Sequence, residues 1–301
     1  MSLLVVGSVA IDTVETPKSK AEGVLGGSAT YFSYAASFFS PVSLVGVVGD
    51  DFPPHFTDVF LKKPIDISGL VTLPGKTFRW HGRYTGRMNE AETVKVELGV
   101  FGNTHPGVPE KFKDSRFVFL ANASPHLQSR ILEEMEAPEL VVADTMNYWI
   151  ENEREALMGL FKGVGGILIN DQEIRMLTRK HHLAPAAKRL LALGPKFVVV
   201  KKGDAGSVLF TSQEEFSLPA FPPEELKDPT GAGDVFAGGM MGYLASSGDH
   251  SLSGLKKALA YGTVVASIGV EDFSLRALER TGREAIEGRL SQLMHMTGQT
   301  L

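Results

Sequence analysis

At 301 residues the chain is long enough to bury a substantial core, in one large domain or two modest ones. Hydrophobic residues at 43% and charged residues at 22% are ordinary for a folded domain and exclude disorder, collagen and coiled coil. A formal charge of −5 without a basic run offers nucleic acid no surface to track, and the absence of cysteine excludes disulfides, thiolate nucleophiles and Cys-ligated metals.

The first apolar run, Leu3–Val9, has no basic residues before it and meets an acid at Asp12, so it reads as a buried strand and not as an export signal. No stretch approaches the roughly 18 to 20 apolar residues of a membrane helix, and a cytoplasmic protein is expected. Segments of helical period then alternate with short apolar runs: Thr30–Phe39, Val42–Val48, Arg116–Leu120, Leu127–Met135, Leu140–Ala143, Ile150–Phe161, Gly166–Ile169 and Phe197–Val200. Such alternation predicts βαβ units around a parallel sheet covered on both faces. From Ala232 onward the pattern is helix after helix, over Ala232–Ala245, Leu252–Ile268 and Ser274–Leu293.

One stretch departs from this order. In Phe78–Tyr84 and again in Val94–Leu98 every second residue is apolar, the period of a half-exposed strand, with Gly86 and Asn89 available for a turn. Residues 77–100 therefore read as a two-stranded excursion whose apolar face covers the mouth of a site, a partner subunit, or both. An edge hairpin lying on its own core is the alternative. No repeat, low-complexity tract or linker divides the chain, so a single domain over 1–301 is expected.

The segment Asp228-Pro-Thr-Gly-Ala-Gly-Asp234 joins a loop of turn formers to a long apolar helix. Gly231, Ala232 and Gly233 leave their N–H groups uncovered at the positive end of the helix dipole, which suits a phosphate. Asp234 in the first turn stays ionised beside that anion site and can accept a hydroxyl proton. Asp228, Thr230 and Asp234 could otherwise be helix caps, although capping does not call for two glycines around an alanine between two acids.

These residues resemble the second signature of the ribokinase-like, or PfkB, carbohydrate kinases, and they stand in the last third of the chain as they do in that family. Asp12, the pair Gly26 and Gly27, Asn170 with Glu173, and Gly203 with Gly206 follow in the family's order, so the resemblance covers nearly the whole sequence. It implies a three-layer α/β/α fold with a mainly parallel central sheet and a small β lid, formed mainly by about 77–100 with a short segment near 13–24. It implies transfer of the γ-phosphoryl group of ATP to a hydroxyl of a small sugar-like molecule, with Mg²⁺ and a monovalent cation as cofactors.

On that resemblance Asp12 holds sugar hydroxyls, Gly26 and Gly27 approach the acceptor or hinge the lid, and Asn170 and Glu173 organise Mg²⁺ and phosphate through water. By local pattern Asp12 is equally a turn residue, Gly26-Gly27 a common turn, and Asn170 with Glu173 a capping box. Lys201 is expected near the phosphates and Gly203 and Gly206 at the nucleotide, together with Asp228 and Thr230, although a surface lysine pair is more often only solvated. The adenine pocket is expected from Phe221–Lys227 and Ala260–Val264. Asn122, Asp144 and Asn147 lie after predicted strands and could reach the acceptor or phosphates. His181 and His182 show no metal-ligand spacing.

The sequence departs from the family at Tyr31, where an Asn often contacts the sugar, so the acceptor is left open. A nucleoside or an inositol-type polyol is the nearest alternative, because Phe78, Trp80 and Tyr84 could stack on a base. Vitamin-type hydroxymethylpyrimidine or pyridoxal kinases generally lack the β lid. A sensor that only binds its ligand would have lost the base or the anion loop. A homodimer through the lid is the expected assembly.

Overall fold

In the computed structural model, which describes residues 2–86, 88–89 and 91–299, three strands precede the first helix: β1 (Leu3–Val6), β2 (Ala10–Glu15) and β3 (Lys20–Gly26). Next come α1 (Ser28–Ala36), β4 (Val42–Gly49), α2 (Pro54–Leu61), β5 (Ile65–Leu73), β6 (Phe78–Tyr84) and β7 (Ala91–Glu97). The middle of the chain holds β8 (Phe117–Leu120), α3 (Pro125–Glu134), β9 (Leu140–Ala143), α4 (Asn147–Asn152), α5 (Arg154–Leu160) and β10 (Gly166–Asn170). It continues with α6 (Asp171–Thr178), α7 (Leu183–Leu191), β11 (Phe197–Lys201), β12 (Ser207–Thr211) and β13 (Glu215–Leu218). The chain then turns helical, through α8 (Ala232–Ser247), α9 (Leu252–Gly269), α10 (Arg276–Glu279) and α11 (Arg283–Thr297).

Nine strands form one sheet in the order β13-β12-β11-β10-β9-β8-β1-β4-β5. Pairing is parallel from β5 to β11 and antiparallel only at β12 and β13. Its strands read as unbroken apolar runs because both faces are covered. Leu3, Val5, Phe117, Phe119, Leu140 and Val142 face the core with α1, α8 and α9, whereas Leu4, Val6, Val118, Leu120, Val141 and Ala143 face the core with α3, α5, α6 and α7. Phe32 of α1 stacks on Phe119 of β8 with ring centroids 4.3 Å apart, tying that helix to the sheet centre.

From β1 the chain passes to β4 on one side, and it later returns as β8 on the other. That reversal opens a crevice beyond the carboxyl ends of β1 and β8, the place where open α/β sheets take ligands. The expected run Leu3–Val9 is cut at Gly7, where a Cβ would lie 2.7 Å from the Ala121 Cβ and 2.9 Å from Ser28 Oγ.

The excursion is larger than the two strands expected from residues 77–100. Four strands in the order β3-β2-β6-β7 make a second sheet, and two of them come from before α1. Asp12 therefore belongs to this smaller sheet, paired in register with Trp80, and does not end a strand of the large one. Val14, Ala21, Tyr84 and Phe273 make a small core under it, so part of its apolar surface does cover its own interior. The last helical segment is also two helices, broken at Thr281 and Gly282. Among the described residues no helix is long and apolar enough to cross a membrane.

Candidate active site

Ser8, just past β1, and Ser28, at the start of α1, brace the floor of the crevice. The Ser28 amide donates to Ser8 Oγ at 3.0 Å, the Ser8 amide donates to Ser28 Oγ at 3.3 Å, and Ser28 Oγ reaches the Asn122 carbonyl after β8 at 3.5 Å. Asn122 lies where it was expected, but its side chain is already engaged. Its Oδ1 accepts from Trp149 Nε1 at 2.9 Å and its amide faces Met146 Sδ at 3.0 Å.

Asp12 projects from β2 into this space, 3% exposed, with Oδ1 lacking a partner among the described residues. Gly26 is required beside it, since a Cβ there would lie 1.9 Å from Asp12 Oδ2. Gly27 adopts φ 98 at the head of α1, and a Cβ would meet the Ser8 carbonyl at 2.4 Å. Burial, with the Asp228 carboxylate next and Asp234 last, pushes the Asp12 carboxyl up to about 7 against the opposing N–H groups of Trp80 and Gly27.

The N-terminus of α8 faces the same crevice. Gly231 holds a left-handed φ of 74 at the N-cap and has no side chain to cap with, while the Asp234 carboxylate accepts from its own backbone N–H in the first turn, so a helix-end role for it stands beside the catalytic one. Asp228 makes a local turn instead: its Oδ1 accepts from the Thr230 amide at 2.9 Å. Thr230 Oγ1 donates to the Tyr84 hydroxyl at 3.2 Å, joining the smaller sheet to the loop. Of the three amides expected to hold an anion, that of Ala232 already donates to the Pro229 carbonyl at 3.1 Å, which leaves Gly231 and Gly233. The Tyr31 ring packs over Gly231, where a Cβ would fall 2.5 Å from it.

Four charged side chains meet behind this helix end. Lys201 Nζ, at the end of β11, pairs with Asp144 Oδ2 at 2.7 Å and would sit 3.1 Å from a Cβ on Gly233. The lysine is thus beside the anion loop and not solvated. Asp234 is pushed up to about 7, by burial first and the Asp144 charge second, with Lys201 pulling it down. Glu173 is likewise raised to about 7 by burial and Asp144, with Lys201 opposing. Asn170 and Glu173 form the capping box of α6: Asn170 Oδ1 accepts from the Gln172 and Glu173 amides at 3.0 and 2.8 Å, and Glu173 Oε2 accepts from the Asn170 amide at 2.8 Å. Among the described residues no group of three or more His, Asp or Glu could hold a metal ion directly.

Buried carboxylates, one paired lysine and an uncapped helix end suit phosphoryl transfer, and relationship decides the family. The profile of the pfkB family carbohydrate kinases matches residues 2–281. The chain belongs to the pfkB family. It is a kinase, a phosphotransferase acting on a hydroxyl acceptor. It is 31% identical over 246 residues to the cytidine kinase of Thermococcus kodakarensis, covering 80% of this chain and 87% of that one. Its fold matches the Burkholderia thailandensis nucleoside kinase in complex with inosine, with a TM-score of 0.82 at 18% identity over 97% of this chain and 99% of that one. It also matches an E. coli structure in complex with ATP and Mg²⁺, with a TM-score of 0.79 at 19% identity over 97% and 99% of the two chains.

In this pfkB-family kinase Gly203 and Gly206 differ in kind. Both have positive φ, 56 and 83, but a Cβ on Gly203 would meet nothing within 4 Å whereas one on Gly206 would lie 2.1 Å from the Leu218 carbonyl. Gly206 lets β13 approach, and Gly203 faces open space. Sequence reasoning did not anticipate the Ser8–Ser28 brace, the Tyr84–Thr230 contact or the place of Gln128. That side chain is buried and its amide holds the carbonyls of Leu120, Ala121 and Asp144 at 3.1, 3.0 and 3.0 Å. Only the lone buried glutamine in α3 could have signalled it.

Proposed function

We propose that this kinase transfers the γ-phosphoryl group of ATP to a hydroxyl on the ribosyl unit of a nucleoside. The observation that carries the reading is the convergence of two buried carboxyls with raised affinity for protons, Asp12 and Asp234, on an uncapped helix N-terminus at the switch point of the sheet. Asp12 holds acceptor hydroxyls through its unpaired oxygen. Asp234 takes the proton of the attacking hydroxyl, its pKa near 7 matching a general base at neutral pH. The Gly231 and Gly233 amides, with Lys201, face the charge that develops on the phosphoryl oxygens.

The Asp144 charge raises both Glu173 and Asp234 beside Lys201, and three carboxyls around one lysine fit a hydrated Mg²⁺ arriving with the nucleotide. When bound, that ion supplies charge neutralisation at the phosphates. Asp228 Oδ2, buried and unpaired, is where a monovalent cation would be sought. The smaller sheet acts as the lid. Val94 and Val96, 41% and 46% exposed on β7, support pairing of two copies through it.

A nucleoside is preferred to a free sugar because the 31% identity to a cytidine kinase extends over 80% of this chain. A sugar or polyol remains the second reading, since Asp12 could hold either. Purified protein with ATP and Mg²⁺, assayed for ADP release, should favour one or more of cytidine, uridine, inosine and adenosine over ribose, fructose and inositol by about 100-fold in kcat/KM. Turnover of a free sugar or polyol above every nucleoside would overturn the nucleoside assignment.

A further inference from the structure

Helix α5, the C-terminal end of α6 and α7 border a shallow, open depression of about 500 Å³ on the surface, outside the catalytic crevice. Its lining carries Arg154, Lys162, Arg179 and Arg189 against the single carboxylate of Glu155. One charge each leaves an excess of three positive charges there, on a chain whose formal charge is −5. Among the described residues none of these four cations forms an ion pair, whereas Arg175 on the same α6 is tied to Asp171.

Two of the arginines have a structural task. Arg154 donates to the Leu177 carbonyl and Arg189 to that of Thr178 at 3.3 Å, so both serve the negative C-terminal pole of α6. That role does not extend to Lys162 or to Arg179, whose side chains donate to no carbonyl among the described residues. Arg179 caps α6 with a left-handed φ of 56, where glycine or asparagine would close the helix with less strain. Burial and the charges of Arg179 and Arg189 hold the Arg154 guanidinium below its ordinary pKa. Like charges are thus gathered around one open depression.

We propose that this depression binds a phosphate-bearing small molecule, held by guanidinium forks with Lys162 as a point charge, and with Met158 as apolar contact for its organic part. Guanidinium forks match phosphate oxygens in pairs, and the volume is within the usual range for small-molecule sites. The ligand would not occupy the catalytic crevice, because α6 separates the two: its eight residues run about 12 Å from the Asn170–Glu173 end to Arg179.

Calorimetric titration of the full-length protein with inorganic pyrophosphate and with AMP tests this, with the crevice filled by saturating non-hydrolysable ATP analogue and Mg²⁺. Binding of either probe should persist, weaken as salt rises, and fall about tenfold or more in the double variant Lys162→Glu, Arg179→Glu. Arg179→Gln alone guards against a folding defect and should give a smaller loss, with kinase turnover and thermal unfolding unchanged. Absence of binding up to about 10 mM, or equal binding by wild type and both variants, overturns the proposal.

Discussion

Asp12 has little water around it, an unpaired oxygen and two further acids nearby, so it is costly in either protonation state until something donates to it. An acceptor hydroxyl is such a donor. Asp12→Asn should keep the fold and the KM for ATP but raise the KM for the acceptor about 10- to 100-fold, the scale of a lost charge-assisted hydrogen bond. Steady-state kinetics with each substrate varied would show it, and an unchanged acceptor KM would count against the role. Asp12 stood out in the residue pattern, but its place within β2 of the smaller sheet, paired with Trp80, did not. The pair Gly26-Gly27 looks like any turn in sequence; only in space does Gly26 prove to be the room left for the Asp12 carboxylate. Lys201 was equally ambiguous, because its partner Asp144 lies 57 residues away.

At the scale of elements, the interior of the parallel sheet was readable because strands covered on both faces have few polar residues to blur them, whereas β5, a parallel strand at the sheet edge with mostly uncovered positions, was not anticipated. β12 and β13 were missed: β12 has only three consecutive apolar residues, and β13 is a four-residue, partly exposed antiparallel strand at the sheet edge. β2 and β3 were seen only as a short segment near 13–24, since β2 follows the run of β1 almost without a break and β3 has only Val24 and Leu25 as large apolar residues. Helix α1 is held against α8 and, through the stack of Phe32 on Phe119, against β8 of the sheet. Phe32 is fully buried on Phe119, one residue after Tyr31, so Phe32→Ala should cost about 3 to 5 kcal/mol of stability. Chemical denaturation would measure it, and a loss below about 1 kcal/mol would mean that α1 is held by other contacts.

For the whole molecule, Asp12, Glu173 and Asp234 each bind a proton more tightly folded than unfolded, with pKa values near 7 against ordinary values near 4. Stability from such raised groups is fully present below the unfolded pKa and is lost as pH rises through the folded one. Glu15, Asp66 and Asp272 are shifted the other way, to about 2, so their effect is confined to lower pH. The ligand-free protein should therefore lose stability between about pH 4 and 7, and Asp12→Asn should flatten that slope. Thermal unfolding across this range checks both, and identical slopes for the two proteins would contradict the linkage. On the proposed mechanism the same group of acids would receive Mg²⁺ and supply the base. The most direct measurement is turnover of Asp234→Asn with ATP and its best acceptor. Nucleotide binding should be retained while kcat falls about 10²- to 10⁴-fold, and turnover near that of the wild type would contradict the assignment of Asp234 as the base.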